Sequence, residues 1–212
     1  MYRKREREFQ YPPGIEKIIE DVIGGGTIDR SGLKNALFNG RALDELPPIV
    51  IVLQDPETGL YHVLKTAAVS EAAAEAAKAY KVAKNHLLGV GDFVTLGGEL
   101  TGASEKITAI DKSNSGYDLI TLASTIGAAA KGMVLVQAKD KQAAGSATLP
   151  YEGAAVLTMS KVDLTVANQQ SGLLVRGTVN GSCMPFPIDK GLKALMPYCV
   201  IHQNVIYGKK FD

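Results

Sequence analysis

The sequence is poor in aromatic residues, in cysteine and in excess charge of either sign. Its 212 residues include no Trp, two Cys and an aromatic fraction of 6%. Scarce aromatic side chains argue against a surface that binds sugars or stacks nucleic-acid bases. The 23 Lys and Arg balance 22 Asp and Glu, so the chain carries no net field that would attract nucleic acid or a membrane.

Long apolar runs are also lacking. No window approaches the roughly 18 consecutive apolar residues of a membrane-spanning helix, and no apolar core of signal-peptide length follows the charged start. In that start Arg3, Lys4, Arg5 and Arg7 lie among two glutamates, a mixed run that is typical of a solvated arm. We therefore expect a soluble protein that is made in the cytosol.

The two cysteines do not indicate a metal site. Only His202 lies near Cys183 and Cys199 in the sequence, so a four-ligand zinc site cannot be assembled locally. Their apolar neighbours favour two buried thiols. Asp-x-Asp loops and His-x-x-x-His pairs are absent from the sequence as well. We expect no bound metal.

The glycine-rich segments do not match a phosphate-binding loop. Gly24, Gly25 and Gly26 lack the Lys-Ser/Thr pair of a P-loop, and Gly89 and Gly91 open no helix. Glycines in these settings are typical of turns that need a positive φ angle. We expect no cofactor.

A catalytic nucleophile with its base is not indicated either. Cys183 or Cys199 paired with His202 would need an orienting acid, and the sequence places none beside them. His62 falls inside a strand pattern and His86 in a turn. We expect a protein that is not an enzyme, with a Cys/His hydrolase as one alternative.

The N-terminal region predicts two short helices. Apolar residues at helical spacing indicate the first over residues 15–23, and Ser31 can cap a second that ends at Asn39-Gly40. Helices this short cannot bury both apolar faces against each other, so we expect them to pack on a later segment, a sister subunit or a partner. The candidate oligomer or capsid contact residues are Ile15, Ile18, Ile19, Val22, Leu33, Leu37 and Phe38.

Most of the remaining chain predicts short strands. Residues 49–53 and 60–64 flank an Asp-Pro-Glu-Thr-Gly turn and predict a hairpin. Residues 70–79 are Ala-rich and predict a thin helix with Ser70 as its N-cap. From 80 to 138, apolar runs alternate with Gly, Asn, Asp and Ser turns, as in a small β-barrel. Beyond a polar linker, the C-terminal pattern predicts strands, a helix over 188–196 and a last strand over 199–207.

The predicted fold is therefore mainly β with short helices and has four parts. Residues 1–66 form an N-terminal helical arm plus hairpin, and residues 67–79 an Ala-rich connector. Residues 80–145 form a small SH3-like β-barrel, and residues 146–212 a C-terminal α+β unit.

The stretch from 80 to 138 resembles a segment of head fiber proteins of tailed bacteriophages, in particular those that infect Bacteroidales and the crAss-like group. Residues 182–206 are similar to the closing strand-helix-strand of phage capsid decoration proteins. The matching runs are Lys81-Val82-Ala83-Lys84-Asn85-His86, Val90-Gly91-Asp92, Ile107-Thr108-Ala109-Ile110-Asp111, Ser113-Asn114, Tyr117-Asp118-Leu119-Ile120-Thr121-Leu122 and Ser182-Cys183-Met184-Pro185.

This resemblance implies a structural virion protein on the outer capsid surface, synthesised in the host cytoplasm. It implies a homotrimer that binds the major capsid protein, with residues 1–66 facing the capsid. It brings no active site to this chain. The alternative from another class is a β-barrel module that binds a host-surface glycan or receptor.

Overall fold

The computed structural model describes residues 11–33, 37–38, 41–98, 100–152, 155–165 and 167–202, with backbone alone at positions 37, 38 and 41. The fold is mainly β, with 41% strand and 6% helix. Two 3₁₀ turns (Ser31–Leu33 and Gly181–Cys183) and one helix, α1 (Lys190–Ala194), accompany the strands in this part of the chain. In chain order the strands are β1 (Ile15–Asp21), β2 (Gly26–Ile28), β3 (Leu37–Phe38), β4 (Arg41–Ala42), β5 (Glu45–Leu46), β6 (Ile51–Gln54), β7 (Tyr61–Val63), β8 (Thr66–Ala68), β9 (Ala79–Val82), β10 (Phe93–Leu96), β11 (Ser104–Asp111), β12 (Asp118–Leu122), β13 (Val134–Ala138), β14 (Val156–Thr158), β15 (Val162–Asp163), β16 (Gln169–Ser171), β17 (Leu173–Asn180) and β18 (Cys199–His202).

The larger sheet combines strands from both ends of the chain, and we call it the terminal sheet. Its order is β1-β17-β14-β6-β7-β2-β16, and β18 also pairs with β17. The β2–β7 and β17–β18 pairs are parallel, and the others are antiparallel. The terminal sheet therefore unites strands between residues 15 and 63 with strands between residues 156 and 202.

The predicted helix over residues 15–23 is wrong, because Ile15–Asp21 is the edge strand β1. Branching at Cβ makes isoleucine better suited to a strand than to a helix. β17 supplies the pairing partner, with Ile18 opposite Gly177. A Cβ at Gly177 would lie 2.2 Å from the carbonyl oxygen of Lys17, so glycine there allows β1 to approach.

The second predicted helix is also wrong. Ser31–Leu33 is a single 3₁₀ turn, and the Asp29 carboxylate accepts a hydrogen bond from the Ser31 N–H at 3.1 Å. Leu37 and Phe38 form β3, which pairs with β4. The predicted helix end at Asn39-Gly40 lies outside the described residues, as do the charged residues at the N-terminus.

The predicted hairpin of residues 49–64 is confirmed as the antiparallel pair β6 and β7, with Val52 opposite Val63. Its turn is held by Asp55, which accepts hydrogen bonds from the Glu57 N–H at 2.9 Å and the Thr58 hydroxyl at 2.6 Å. An Asp that bonds the backbone two residues on is typical of such a turn.

The strands predicted between 80 and 138 are present. Together with β8 they form a second sheet, which we call the central sheet. Its order is β8-β13-β10-β11-β12-β9. The sheet curls until its edge strands meet, where Ser70 N–H donates to Lys81 O at 2.9 Å and Ala83 N–H to Ala68 O at 2.8 Å. Its buried core includes Tyr80, Val82, Val94, Ile107, Ile120 and Leu135.

The Ala-rich segment 70–79 is not helical, which corrects the predicted connector helix. Ala73 exchanges two backbone hydrogen bonds with Ala129, at 2.8 and 3.0 Å, and Leu122 N–H donates to Lys78 O at 2.7 Å. Thr125 also donates its hydroxyl proton to Glu75 O. The segment has no wide apolar stripe to bury as a helix, so these tertiary bonds outweigh its local propensity.

The C-terminal strand-helix-strand pattern is present, with shorter elements than predicted. α1 covers Lys190–Ala194, and Asp189 caps it by accepting from Leu192 N–H at 2.9 Å. The last strand is described from Cys199 to His202. The predicted residues 203–207 of that strand lie outside the described residues.

The two sheets contact each other through the start of α1. Asp189 accepts a second hydrogen bond, at 2.6 Å, from Gly98 N–H in the β10–β11 loop. A Cβ at Gly191 would lie 2.1 Å from Gly98 O, so the loop and the helix approach at backbone distance. Thr66 adds a hydrogen bond from its hydroxyl to Pro187 O at 2.9 Å. None of the helices in the described residues has the length and apolar character needed to cross a bilayer.

Candidate functional site

The first candidate surface is the β1 edge of the terminal sheet, beside which none of the described residues forms another strand. β1 is the terminal strand in the order of that sheet, and six of its seven residues are exposed. Ile18 and Ile19 are 52% and 53% exposed, and Ile23, just beyond the strand, is 99% exposed. Large apolar side chains grouped at an unpaired edge mark a surface for association.

A β-bulge presents Ile19 on this edge. Ile18 lies opposite Gly177 and Glu20 lies opposite Arg176, so Ile19 has no residue opposite it on β17. Bulges of this kind bend the strand and turn a side chain to a new direction. The pairing irregularity therefore accounts for the exposure of Ile19.

Strand β18, which lies on the other side of β17 from β1, carries a further exposed apolar residue. Thr178 of β17 lies between Lys17 on one side and Val200 on the other, so Lys17 and Val200 share a face. Val200 is 63% exposed. His202 Nε2 lies 2.8 Å from Glu16 Oε2 and links the two outer strands across β17.

The predicted contact residues do not lie together. Ile18 and Ile19 are exposed on β1, whereas Ile15 and Val22 are partly buried and pack against apolar clusters of the terminal sheet. Leu33 is 3% exposed and belongs to the core of the described residues, so little of its side chain is free for a contact, and its role as a contact residue stays a prediction. The side chains of Leu37 and Phe38 lie outside the described part of the structure.

The second candidate site is a groove between the two sheets. It consists of two adjoining cavities of about 200 Å³ and about 440 Å³, which share Ser31, Gly32, Lys65 and Asp92 as lining residues. We call it the inter-sheet groove. The smaller cavity is lined further by Asp29, Leu33, Leu53, His62, Val63, Leu64, Gln137, Pro150 and Tyr151.

His62 of β7 is the centre of the smaller cavity's polar wall. Its Nδ1 lies 3.2 Å from Asp29 Oδ2, and its Nε2 lies 3.9 Å from Asp55 Oδ2. Tyr151 stacks on the imidazole with ring centroids 4.3 Å apart and planes inclined by 19°. The ring of His62 is thereby fixed from three directions.

The carboxylates around His62 favour their ionised forms. Burial opposes ionisation of Asp29, but hydrogen bonds from Ser31 and the nearby His62 outweigh it and lower its pKa. At Asp55 the hydrogen bonds from Thr58 and Glu57 lower the pKa. Burial, together with these two carboxylates, raises the pKa of Tyr151.

The opposite wall of the groove holds a nearly buried ion pair. Lys65 Nζ lies 2.8 Å from Asp92 Oδ2, and the Lys65 side chain is 9% exposed. Gly89 N–H donates to the same carboxylate oxygen at 2.8 Å. Gln137 N–H donates to Lys65 O at 2.9 Å, so strand β13 fixes the backbone from which the lysine extends.

The geometry around the hydroxyl and thiol groups differs from that of a nucleophile with its base. Ser31 donates its hydroxyl proton to Asp29 and not to His62. Cys199 Sγ lies 3.4 Å from Val175 O, burial raises the pKa of its thiol, and the ring of His202 contacts Glu16 instead. The described residues contain no group of three His, Cys, Asp or Glu side chains that could hold a metal ion.

Sequence reasoning missed the inter-sheet groove. Asp29, His62, Lys65, Asp92 and Tyr151 are spread over 123 positions of the chain and form no motif. His62 was predicted to lie inside a strand, as it does in β7, but the strand pattern could not show which residues lie opposite. Comparisons of the chain with protein-family models, curated proteins and solved structures give no match.

Proposed function

We propose that this chain is a structural virion protein, a head fiber or decoration protein on the outer surface of a phage capsid. In this proposal it binds the major capsid protein lattice as a homotrimer, after synthesis in the host cytoplasm. The observation that carries the proposal is the exposed edge strand β1 with its isoleucines Ile18, Ile19 and Ile23. Residues 1–66, which include this strand, are then the capsid-facing part.

An unpaired strand edge supports this function through its backbone as well as its side chains. The free N–H and C=O groups of β1 can accept a strand from a neighbouring subunit or from a capsid protein. Covering the half-exposed Ile18 and Ile19 contributes about 1 kcal/mol for each side chain. Individual contacts of this size are weak, and a trimer on a repeating lattice strengthens them by engaging several sites at once.

The central sheet supplies the rigid part in this proposal. We assign it as the SH3-like small barrel, since its edges are joined by hydrogen bonds between residues 68–70 and 81–83. Its fully buried Tyr80, Ile107 and Ile120 make a continuous core. A sheet with joined edges offers no free strand for pairing, so in this proposal assembly uses an edge of the terminal sheet, and β1 is the edge with the exposed isoleucines.

A matched pair of lysine substitutions tests the proposed surface. Ile19→Lys places a charge on the bulge of β1, and Ala109→Lys places one at an exposed position beside a bulge of the central sheet. We expect Ile19→Lys to lose the trimer in size-exclusion chromatography with light scattering, and to lose binding to particles that lack the protein. Ala109→Lys should keep both properties.

Two results would contradict the proposal. The first is a stable wild-type monomer without affinity for such particles. The second is equal binding by Ile19→Lys and the wild-type chain. Electron microscopy of particles with and without the protein then tests the location directly. Added density on the outer capsid surface is expected only for the particles that carry the protein.

A further inference from the structure

We propose that the smaller cavity of the inter-sheet groove binds one residue of an uncharged, hydroxyl-rich carbohydrate. The cavity is formed by Asp29 and His62 of the terminal sheet, by Lys65 and Asp92 of the central sheet, and by Tyr151 in the segment that connects them. This inference does not depend on the capsid contact, which involves β1 at a different place in the terminal sheet.

The size of the cavity selects a small ligand. A volume of about 200 Å³ holds about seven waters at roughly 30 Å³ each, which is the space of one six-membered sugar ring with its hydroxyls. The adjoining cavity of about 440 Å³ leaves room for the next residue of a chain. Pockets at the junction of two structural units are common ligand sites, because both units fix the lining residues.

The walls combine an apolar and a polar side, as a sugar ring does. Tyr151 is held flat by its stack on His62, and Leu53, Val63 and Leu64 line the same cavity. This apolar part suits the C–H face of a pyranose. The scarcity of aromatic residues in the chain does not oppose such a site, since a single fixed ring provides the platform.

Hydrogen-bonding groups remain available on the polar side. Lys65 has three N–H donors, and Asp92 accepts from one of them. Among the described residues His62 Nε2 has no hydrogen-bond partner, and it lies 3.9 Å from Asp55. Because this atom is closed off from the cavity, Lys65 supplies the hydrogen-bond donors in this proposal.

The charges of the cavity favour a neutral ligand. Lys65 is paired with Asp92 at 2.8 Å, and His62 with Asp29 at 3.2 Å. An anionic ligand would approach the carboxylates of Asp29 and Asp92 and would be repelled. Hydroxyl groups can both donate and accept, so they satisfy the paired groups without adding charge.

The experiment blocks the groove by replacing a lining glycine that has space for a larger side chain. A Cβ at Gly32 meets no atom within 4 Å, and Gly32 lines both cavities. Gly32→Phe should therefore fold and fill the groove. Gly116→Phe is the matched control, since a Cβ there is only in ordinary contact with Asn114, at 3.6 Å, and Gly116 lines neither cavity.

The probes are the methyl glycosides of glucose, galactose, mannose and N-acetylglucosamine at millimolar concentration. Binding to the full chain is measured by saturation-transfer NMR and by amide shift changes. We expect at least one glycoside to bind, with shifts at Lys65, Asp92 and Tyr151. Gly32→Phe and Tyr151→Leu should each weaken this binding at least tenfold, and Gly116→Phe should leave it unchanged.

Three outcomes overturn the inference: no glycoside binds, the shifts map outside the groove, or Gly32→Phe binds as well as the wild-type chain. A thermal melt of each variant confirms that it is folded before binding is compared. Because the readout is made on the isolated chain, failure of carbohydrate binding leaves the capsid proposal intact, and failure of capsid binding leaves this inference intact.

Discussion

Tyr80→Phe tests whether tertiary hydrogen bonds hold the Ala-rich segment out of a helix. Tyr80 is fully buried in the central sheet. Its Oη lies 2.8 Å from Gly127 O and 3.1 Å from Ala77 O, and it accepts from Ile126 N–H at 3.4 Å. Phenylalanine keeps the ring and its packing and removes only the atom that joins the segment 70–79 to residues 126–127.

The expected loss of stability follows from these contacts. One net hydrogen bond contributes about 1 kcal/mol, and leaving buried backbone groups without a partner costs about 1 kcal/mol more. A total of about 2 kcal/mol lowers the melting temperature of a chain of this size by about 4 to 8 °C. Calorimetry and urea unfolding measure the loss, and hydrogen exchange at Ala73 and Ala129 should accelerate.

Tyr117→Phe is the control for this experiment. Lys81 Nζ lies 5.1 Å from the centre of the Tyr117 ring, a contact that phenylalanine retains, so a change below about 0.5 kcal/mol is expected. Equal stability of the two variants would refute the reasoning. Tyr80→Phe would also refute it by showing neither a gain of helical circular dichroism nor faster hydrogen exchange at Ala73.

Three further predictions concern single residues. Burial lowers the pKa of His86 from 6.5. The nearby Asp118 raises it, Lys112 lowers it further, and the net pKa is lowered. The unfolded chain therefore binds the proton more readily than the folded chain. The free energy of unfolding, measured by urea unfolding, should fall as the pH drops below 6.5, by up to about 1.4 kcal/mol per pH unit. His86→Leu should reduce this dependence on pH. Gly177→Ala should detach β1 and cost about 1 to 3 kcal/mol, seen as faster hydrogen exchange at Ile18. Asp189→Ala removes the acceptor for Leu192 N–H and Gly98 N–H, and should lower stability by about 1 to 2 kcal/mol.

Each of these has a control. A slope that is unchanged in His86→Leu would show that other groups control the pH dependence. Gly116→Ala, where a Cβ lies 3.6 Å from Asn114, should leave hydrogen exchange in β1 unaltered. Asp189→Asn can still accept one hydrogen bond, so it should be more stable than Asp189→Ala, and equal stability would argue against the capping role.

Apolar runs bounded by turn residues were the elements that sequence reasoning predicted well. One such run forms β12, in which Ile120 and Leu122 are buried together with Asp118. The β6–β7 hairpin was predicted for the same reason, because its turn chemistry and its strand pattern are both local. The burial of the candidate contact residues did not follow from their sequence pattern: Ile18 and Ile19 are exposed, but Leu33 is in the core.

The amino-acid sequence by itself determined the mainly β character and the positions of most turns, since both depend on residues a few positions apart. Tertiary structure decided the rest. Residues 15–21 and 70–79 have spacing or composition that suits a helix, but neither is helical, because distant segments supply their hydrogen bonds. These segments are β17 for the first and Leu122 and Ala129 for the second. The inter-sheet groove and the exposed edge of β1 form only when segments far apart in the chain pair with each other. The order of neighbouring residues does not show which distant segments will pair.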